Sequence, residues 1–178
     1  MVVRTSIAEW RGRVDDGGGH VSLGSGAFEG SYSFGSRFEE APGTNPEELL
    51  GAAHASCFSM ALSLLLTKAG YPPRRIRTSA KVSIERAGDG FAITHIALAT
   101  EGDVPGLDSK AFSVHAEEAR RNCPVSKALA GVEIGLTSGL VEESGKAAPR
   151  RSGATAVAPR PRTQVMGRRG NDHFRKPR

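Results

Sequence analysis

The segment from Asn45 to Gly70 constrains the fold more than any other, because its pattern indicates one uninterrupted helix. It carries both start and stop signals: a capping Thr44 or Asn45, Pro46 in the first turn, Glu47 and Glu48 at the positive end of the helix dipole, Gly70 as a C′ residue, and Pro72-Pro73 beyond. We therefore predict a helix from Asn45 to Gly70.

This predicted helix is apolar on more than one face. One stripe follows spacings of four and three residues: Leu49, Ala53, Cys57, Ala61 and Leu64. The remaining leucines, with Phe58 and Met60, make the second half apolar nearly all round. Such a helix is buried on several sides, inside the domain or against another subunit.

The elements around the helix are predicted from alternation and turn residues. Before it come three β runs separated by glycine clusters that suit hairpin turns better than a phosphate-binding loop: Ser6–Val14, His20–Gly24 and Gly30–Phe38. After it come two strands, a helix, a short helical turn and a last strand: Ser79–Arg86, Phe91–Thr100, Asp108–Asn122, Val125–Leu129 and Val132–Leu140. This order predicts an α+β domain with a mostly antiparallel sheet.

Charge divides the chain at Gly145. Of its net charge of +5, the last 34 residues contribute ten basic residues and one acid, whereas the first 144 residues hold 14 basic and 18 acidic ones. The tail lacks Leu and Ile, so it cannot bury enough apolar surface to offset the entropy of ordering. We predict a folded domain over residues 1–144 and a basic, disordered tail over 145–178. A protein that binds nucleic acid or acidic surfaces through this tail is the less favoured function, because a single aromatic residue, Phe174, accompanies the charges.

The sequence favours the cytoplasm and gives no indication of a membrane segment. The N-terminus, MVVRTSIAEW, has no apolar signal-peptide core. The longest apolar stretch, Phe58–Leu66, is short for a membrane span and is interrupted by Ser59 and Ser63. Two cysteines in a reducing compartment do not predict a structural disulfide.

Each cysteine has two open interpretations. Cys57 is either a small buried hydrophobic residue or a reactive thiol, which needs a neighbouring cation because the middle of a helix offers no dipole end. Cys123 faces either the negative end of the helix before it or the positive end of one opening at Pro124. His54 is either a base toward Cys57 or a buried hydrogen-bonded side chain. With His115 these residues match no common zinc spacing, so we predict neither metal nor cofactor.

Two motifs surround these cysteines: GTNPEELLGAAHASCFSMAL, which contains Cys57, and NCPVSKAL, which contains Cys123. Both resemble the cysteine motifs of the osmotically inducible protein C (OsmC) family, which is related to the organic hydroperoxide resistance (Ohr) proteins. The resemblance covers about Val3 to Val141. It implies mostly antiparallel sheets packed around a long central helix that carries the reactive cysteine, and an intertwined homodimer with active sites at the subunit interface.

The resemblance also implies four catalytic residues. Cys57 corresponds to the peroxide-attacking cysteine, Cys123 to the resolving cysteine, Arg37 to the arginine that activates the thiolate, and Glu47 to the carboxylate that orients it. The implied activity is reduction of organic hydroperoxides through a Cys57 sulfenic acid and a Cys57–Cys123 disulfide, in oxidative or osmotic stress. An external dithiol, on a lipoylated or thioredoxin-like protein, would reduce that disulfide. The apolar neighbours of Cys57 in the sequence suit alkyl hydroperoxides better than hydrogen peroxide.

The position of Arg37 predicts a shared site. On the third predicted strand, Arg37 points away from the aromatic residues Tyr32, Phe34 and Phe38. Glu47 precedes Cys57 by ten residues, which is about 15 Å along one helix. We therefore predict that Arg37 and Glu47 of one subunit complete the site around Cys57 of the other.

Overall fold

The computed structural model describes residues 1–141 and begins with a small antiparallel sheet. Its strands β1 (Ser6–Arg11), β2 (Gly18–Leu23) and β3 (Glu29–Ser33) pair in chain order. The predicted basic tail, 145–178, and its boundary with the domain lie outside the described residues.

The glycine clusters serve this sheet in two different ways. Gly26 has φ +72 and donates to the Leu23 carbonyl at 2.8 Å, which closes the predicted turn between β2 and β3. Gly18 and Gly19 instead lie within β2, so the prediction that their cluster forms only a turn is wrong. A Cβ at Gly19 would collide with the ring of Tyr32 on the neighbouring strand. The glycine therefore makes room for that ring.

A short helix, α1 (Phe34–Phe38), replaces the second half of the predicted third strand. Ser33 and Ser36 form a reciprocal capping box, with N–H to Oγ distances of 2.9 and 3.1 Å. Ser36 Oγ also donates to the Thr44 carbonyl at 2.8 Å. These hydrogen bonds fix a helical turn where the alternation predicted an extended chain. Arg37 is thus a helical residue, and its predicted strand orientation opposite the aromatic residues is wrong.

The long helix begins and ends close to its predicted bounds. It is α2 (Pro46–Lys68), with Asn45 as its N-cap. The Asn45 side chain accepts from the Glu48 N–H at 2.9 Å, which satisfies one of the free donors of the first turn. Gly70 follows the helix with φ +87, a conformation that favours glycine.

The buried face of α2 differs from the predicted stripe. The buried side is lined by Glu47, Gly51, His54, Phe58, Leu62 and Leu66. Ala53 is exposed and Leu64 is 55% exposed, so the predicted stripe through Cys57 lies at the border of the buried face. Because the second half of α2 is apolar nearly all round, its sequence pattern did not select a face. The tertiary packing did.

By length and composition α2 qualifies as a membrane span. This property does not contradict the expectation of no membrane segment, which rested on the lack of an unbroken apolar run of sufficient length. A central helix of a globular domain has the same properties, and α2 takes that role, packing on a second sheet and against a second helix. Ser59 Oγ on α2 lies 2.8 Å from Thr78 Oγ1 on that sheet, which adds a polar contact to the packing.

The second sheet contains β4 (Arg75–Ala87), β5 (Gly90–Asp103) and β6 (Glu133–Leu140) in that order. β4 and β5 form a hairpin, and both extend beyond their predicted bounds. β6 pairs with β5 in parallel. The crossover that a parallel pair requires is made by α3 (Ser109–Asn122) and α4 (Pro124–Ala128).

The core lies between the second sheet and the helices α2 and α3. Its fully buried members come from both layers: Phe58, Leu62, Leu66, Ile96, Phe112, Ala116, Ala119 and Cys123. Three of the four strand pairings within residues 1–141 are antiparallel. The predicted α+β class, with mostly antiparallel sheets and a long central helix, is confirmed. The structure contains one chain, so the homodimer stays a prediction.

Candidate active site

Arg37 and Glu47 form one half of the candidate site. Arg37 Nη2 donates to Glu47 Oε1 at 2.7 Å, and Arg37 Nε lies 3.2 Å from both carboxylate oxygens. The Glu47 side chain is 9% exposed and that of Arg37 37% exposed. Asn45 Nδ2 donates to the Ser36 carbonyl at 3.2 Å and so ties α1 to the start of α2. Through its bonds to Nη2 and Nε, the Glu47 carboxylate holds the permanently charged guanidinium of Arg37 in one orientation.

An apolar cleft of about 330 Å³ adjoins Arg37. Its walls come from the first sheet, the turn between β1 and β2, α1 and the first turn of α2: Trp10, Val14, Tyr32, Ser33, Phe34, Phe38 and Pro46. The Arg37 guanidinium also lies 5.1 Å from the centroid of the Phe38 ring, a cation–π distance. The cleft therefore combines an aromatic wall with one oriented positive charge.

Cys57 and Cys123 form the other half of the site. Both are free thiols, Cys57 half-buried on α2 and Cys123 fully buried where α3 meets α4. Burial raises the pKa of Cys57, and a hydrogen bond with Cys123 raises it further, whereas the Val125 N–H lowers it. A backbone N–H of α4 thus favours the charged form of Cys57, an interaction that no sequence pattern predicted.

Cys123 resolves its predicted ambiguity by ending one helix and beginning the next. Its N–H donates to the Ala119 carbonyl at 2.8 Å, and its carbonyl accepts from the Lys127 N–H at 3.0 Å. Its side chain does not close a regular capping hydrogen bond. Burial raises the pKa of Cys123, but the Ser126 N–H, the Cys57 thiol, the Ser126 hydroxyl and the Val125 N–H together lower it below its usual range. The ionisation of the two thiols is therefore linked, and N–H groups at the start of α4 favour the charged form of each.

The four predicted residues are brought together as two separate pairs. Arg37 meets Glu47, and Cys57 meets Cys123. Arg37 is not among the described groups that shift the pKa of Cys57. The apolar residues that flank Cys57 in the sequence do not enclose it either, since Phe58 is buried in the core and Met60 is 75% exposed. Within the described residues, the contacts of Arg37 are thus with Glu47 and Phe38, not with Cys57.

His54 is a buried side chain whose hydrogen bond is with Ser126 and not with Cys57. Its Nε2 lies 2.8 Å from Ser126 Oγ, and burial lowers its pKa. Its Nδ1 has no hydrogen-bond partner in the described part of the chain. Among residues 1–141, His, Cys, Asp and Glu side chains form no group of three that suits a metal ion.

Val125 and Ser126 are the residues of this site that sequence reasoning missed. Both contribute to the environment of the thiols. A signal was present, because Pro124 suits the first position of a helix and Ser126 then occupies the third, where a polar side chain often contacts the cap residue. The contact with His54, 72 residues away, left no local signal.

Comparison with known proteins identifies the family. The sequence model described as OsmC-like protein matches residues 38–137. A peroxiredoxin OsmC from Escherichia coli (strain K12) is 51% identical over 123 residues, which cover 68% of this chain and 86% of that protein. An organic hydroperoxide resistance protein from Xanthomonas axonopodis pv. citri is 31% identical over 98 residues, 53% of this chain and 66% of that protein.

Solved structures agree with the sequence comparisons. The crystal structure of an organic hydroperoxide resistance protein from Elizabethkingia anophelis superposes with a TM-score of 0.61 at 27% identity, covering 79% of this chain and 99% of that one. The matched family segment includes both cysteines and Glu47, and it begins one residue after Arg37. The chain belongs to the OsmC-like protein family.

Proposed function

We propose that the chain is a thiol-dependent peroxidase that reduces organic hydroperoxides to alcohols. The observation that carries the proposal is the pair of free cysteines, Cys57 on α2 and Cys123 in the crossover, which lie close to each other. Relatives named peroxiredoxin and organic hydroperoxide resistance protein support a peroxidase-type activity. Two free thiols suit the reducing cytoplasm, which is the compartment we propose.

The chemistry proceeds in three balanced steps. The Cys57 thiolate attacks the terminal oxygen of R–O–O–H, so an S–O bond forms, the O–O bond breaks, and the alkoxide takes a proton to leave as an alcohol. The Cys123 thiolate then attacks the Cys57 sulfenic acid, forming the disulfide and releasing water once the hydroxide is protonated. An external dithiol, on a lipoylated or thioredoxin-like protein, reduces the disulfide by exchange and is itself oxidised.

Arg37 activates Cys57 across a subunit interface in this proposal. Within one chain burial raises the pKa of Cys57, and no cation among residues 1–141 counters this effect. Large apolar side chains lie open to solvent on β1, in the turn that follows it and on α2, as a second copy would require: Ile7 at 70%, Val14 at 69%, Met60 at 75% and Leu64 at 55% exposure. In an intertwined homodimer, Arg37 of one subunit meets Cys57 of the other, stabilises the thiolate and polarises the peroxide.

The aromatic cleft beside Arg37 accounts for an organic substrate. Trp10, Tyr32, Phe34 and Phe38 line it, and their apolar surface would cover an alkyl or aryl group while Arg37 contacts the peroxide oxygens. Hydrogen peroxide has no such group to bury. We therefore expect higher kcat/KM with cumene hydroperoxide than with hydrogen peroxide.

The mass of the protein after one equivalent of cumene hydroperoxide tests the proposed activity. Wild-type protein should lose two hydrogen masses as the disulfide forms, and cumyl alcohol should appear in equal amount. Cys123→Ser should stop at the sulfenic acid, with a gain of one oxygen. Wild-type thiols that remain unreacted would refute the peroxidase.

Mixing two inactive variants tests the shared site. In a Cys57→Ser and Arg37→Ala heterodimer, one shared site keeps both wild-type residues and the other keeps neither. Refolding equal amounts together gives heterodimers as about half of the dimers, so about a quarter of wild-type activity should return. If the mixture is no more active than its parents, the site lies within one subunit.

A further inference from the structure

A line of three buried side chains runs from α2 to the resolving cysteine. His54 and Cys123 are completely buried, and Ser126 is 6% exposed. His54 Nε2 lies 2.8 Å from Ser126 Oγ, and Ser126 is the third residue of α4, the helix that begins directly after Cys123. Nothing in the proposed peroxide chemistry uses His54.

The unpartnered nitrogen of His54 indicates its tautomer. Nδ1 is buried without a hydrogen-bond partner among residues 1–141. A buried N–H without an acceptor is rare and costly, whereas an unpaired acceptor is tolerated more often. The proton of the neutral ring therefore lies on Nε2, which donates to Ser126 Oγ. The hydroxyl hydrogen of Ser126 is then free to point at the Cys123 sulfur.

The geometry points to His54 and Ser126 as positioning residues that hold Cys123 as a thiolate aimed at the Cys57 sulfenic acid. Each donor in the line fixes the next: His54 Nε2–H donates to Ser126 Oγ, and Ser126 Oγ–H donates to Cys123 Sγ. This inference rests on the proposed function, in which Cys123 is the resolving residue. It adds the reason why a completely buried thiol can be ready to attack.

The step that benefits is disulfide formation. The Cys123 thiolate attacks the sulfur of Cys57–SOH, the S–S bond forms, and the S–O bond breaks with release of hydroxide, which a proton converts to water. A protonated Cys123 would first have to lose its proton inside a dry core. Donors already aimed at the sulfur lower that barrier, because they stabilise the charged form in advance.

Other charged groups near Cys123 do not replace this line. Cys57 is the one titratable group among those that act on its thiol in the described residues. On α3, Arg120 is bound to Glu117 and to the Ile134 carbonyl. Arg121 on α3 and Lys127 on α4 are exposed. The local donors are thus the Val125 and Ser126 N–H groups and the Ser126 hydroxyl, of which His54 controls the last.

A thiolate titration tests the inference without peroxide. In a Cys57→Ser background Cys123 is the one thiol left in the chain, so absorbance near 240 nm follows its ionisation directly. Ser126→Ala should raise the midpoint by about one pH unit, since a hydrogen bond to the charged form is lost. At a fixed pH below the midpoint, this is about a tenfold smaller thiolate fraction. His54→Leu should act in the same direction.

Two further variants separate positioning from packing. His54→Gln retains an N–H donor near the position of Nε2 and should restore most of the thiolate fraction that His54→Leu loses. Ser59→Ala removes a hydroxyl from the same helix, and it should leave the Cys123 midpoint unchanged because Ser59 contacts Thr78 instead. If His54→Leu does not fold, Ser126→Ala decides alone. An unchanged midpoint in Ser126→Ala would overturn the inference.

Single-turnover kinetics connect the line to the reaction. With both cysteines present, Ser126→Ala should oxidise Cys57 at the wild-type rate but form the disulfide about tenfold more slowly, so the sulfenic acid accumulates and can be trapped by a cyclic dione. Equal rates of disulfide formation would count against the positioning role. Failure of wild-type Cys57 to react would refute the peroxidase and leave the titration result standing.

Discussion

Replacing Glu47 by Gln would weaken the interaction that orients Arg37, while the positive charge of Arg37 itself would remain. The amide keeps the shape of the carboxylate and one acceptor oxygen, but loses the negative charge. The short bond from Arg37 Nη2 to Glu47 Oε1, 2.7 Å, then has a neutral partner, and the shared contacts of Nε at 3.2 Å are disturbed when the NH2 group replaces an oxygen. The guanidinium should become mobile.

Two different losses follow from this change. A hydrogen bond to a charged group contributes about 1.5–3 kcal/mol and a neutral one about 0.5–1.5 kcal/mol, so one strong bond loses about 1–1.5 kcal/mol. Because the Arg37 side chain is 37% exposed, solvent screening reduces the loss to about 1 kcal/mol of unfolding free energy. The rate of Cys57 oxidation should fall more, about 10- to 100-fold, because the transition state requires the orientation that is lost.

Glu48→Gln is the matched control for this prediction. Glu48 lies in the same first turn and makes the same interaction with the helix dipole, but it contacts Thr44 and not Arg37. Urea unfolding measures the loss of stability, and competition with a thiol reagent measures the oxidation of Cys57 by cumene hydroperoxide. If Glu47→Gln reacts at the wild-type rate, or if Glu48→Gln loses as much, the orienting role of Glu47 is wrong.

Three further predictions concern the folded chain. Burial lowers the pKa of His54, so its contribution to stability is complete above the pKa of about 6.5 that it has in the unfolded chain. This contribution is lost at lower pH, by up to about 1.4 kcal/mol per pH unit. Urea unfolding at pH 7 and pH 5 should show this slope, and His54→Gln should remove it. Phe58→Ala should cost about 3–5 kcal/mol in the same assay, because the ring is completely buried in the core. Gly102→Ala should lower the Tm, since its Cβ would collide with the Phe112 ring and overpacking costs about 1–3 kcal/mol.

The bounds of α2 could be predicted from the sequence because they depend on local chemistry. Asn45 caps the first turn through its own side chain, and Gly70 adopts the positive φ that the sequence pattern requires of it. The helix α1 could not be predicted in the same way. The aromatic residues Tyr32, Phe34 and Phe38 fit the alternation of a strand. The capping box of Ser33 and Ser36 and the bond from Ser36 to the Thr44 carbonyl instead fix a helical turn.

The candidate site was predictable in part for a similar reason. Motif resemblance identified Arg37, Glu47, Cys57 and Cys123, because short segments of sequence carry those residues. Their grouping into two pairs depends on the turn at α1 and on the crossover that carries Cys123. The contact of His54 with Ser126 joins residues 72 positions apart. A pattern of local spacing contains no information about such a contact.

The parallel pairing of β6 with β5 has a consequence for the order of events during synthesis. Residues 95–102 of β5 can pair with residues 133–140 of β6 only after β6 has been synthesised. The second sheet is therefore incomplete until nearly the whole described chain has left the ribosome. Cys57 is synthesised 66 residues before Cys123, and the crossover that buries Cys123 is secured only when β6 pairs. A nascent chain therefore carries its first thiol for several seconds without the second. Peroxide that reaches the growing chain in that interval would meet a cysteine with no partner to resolve it.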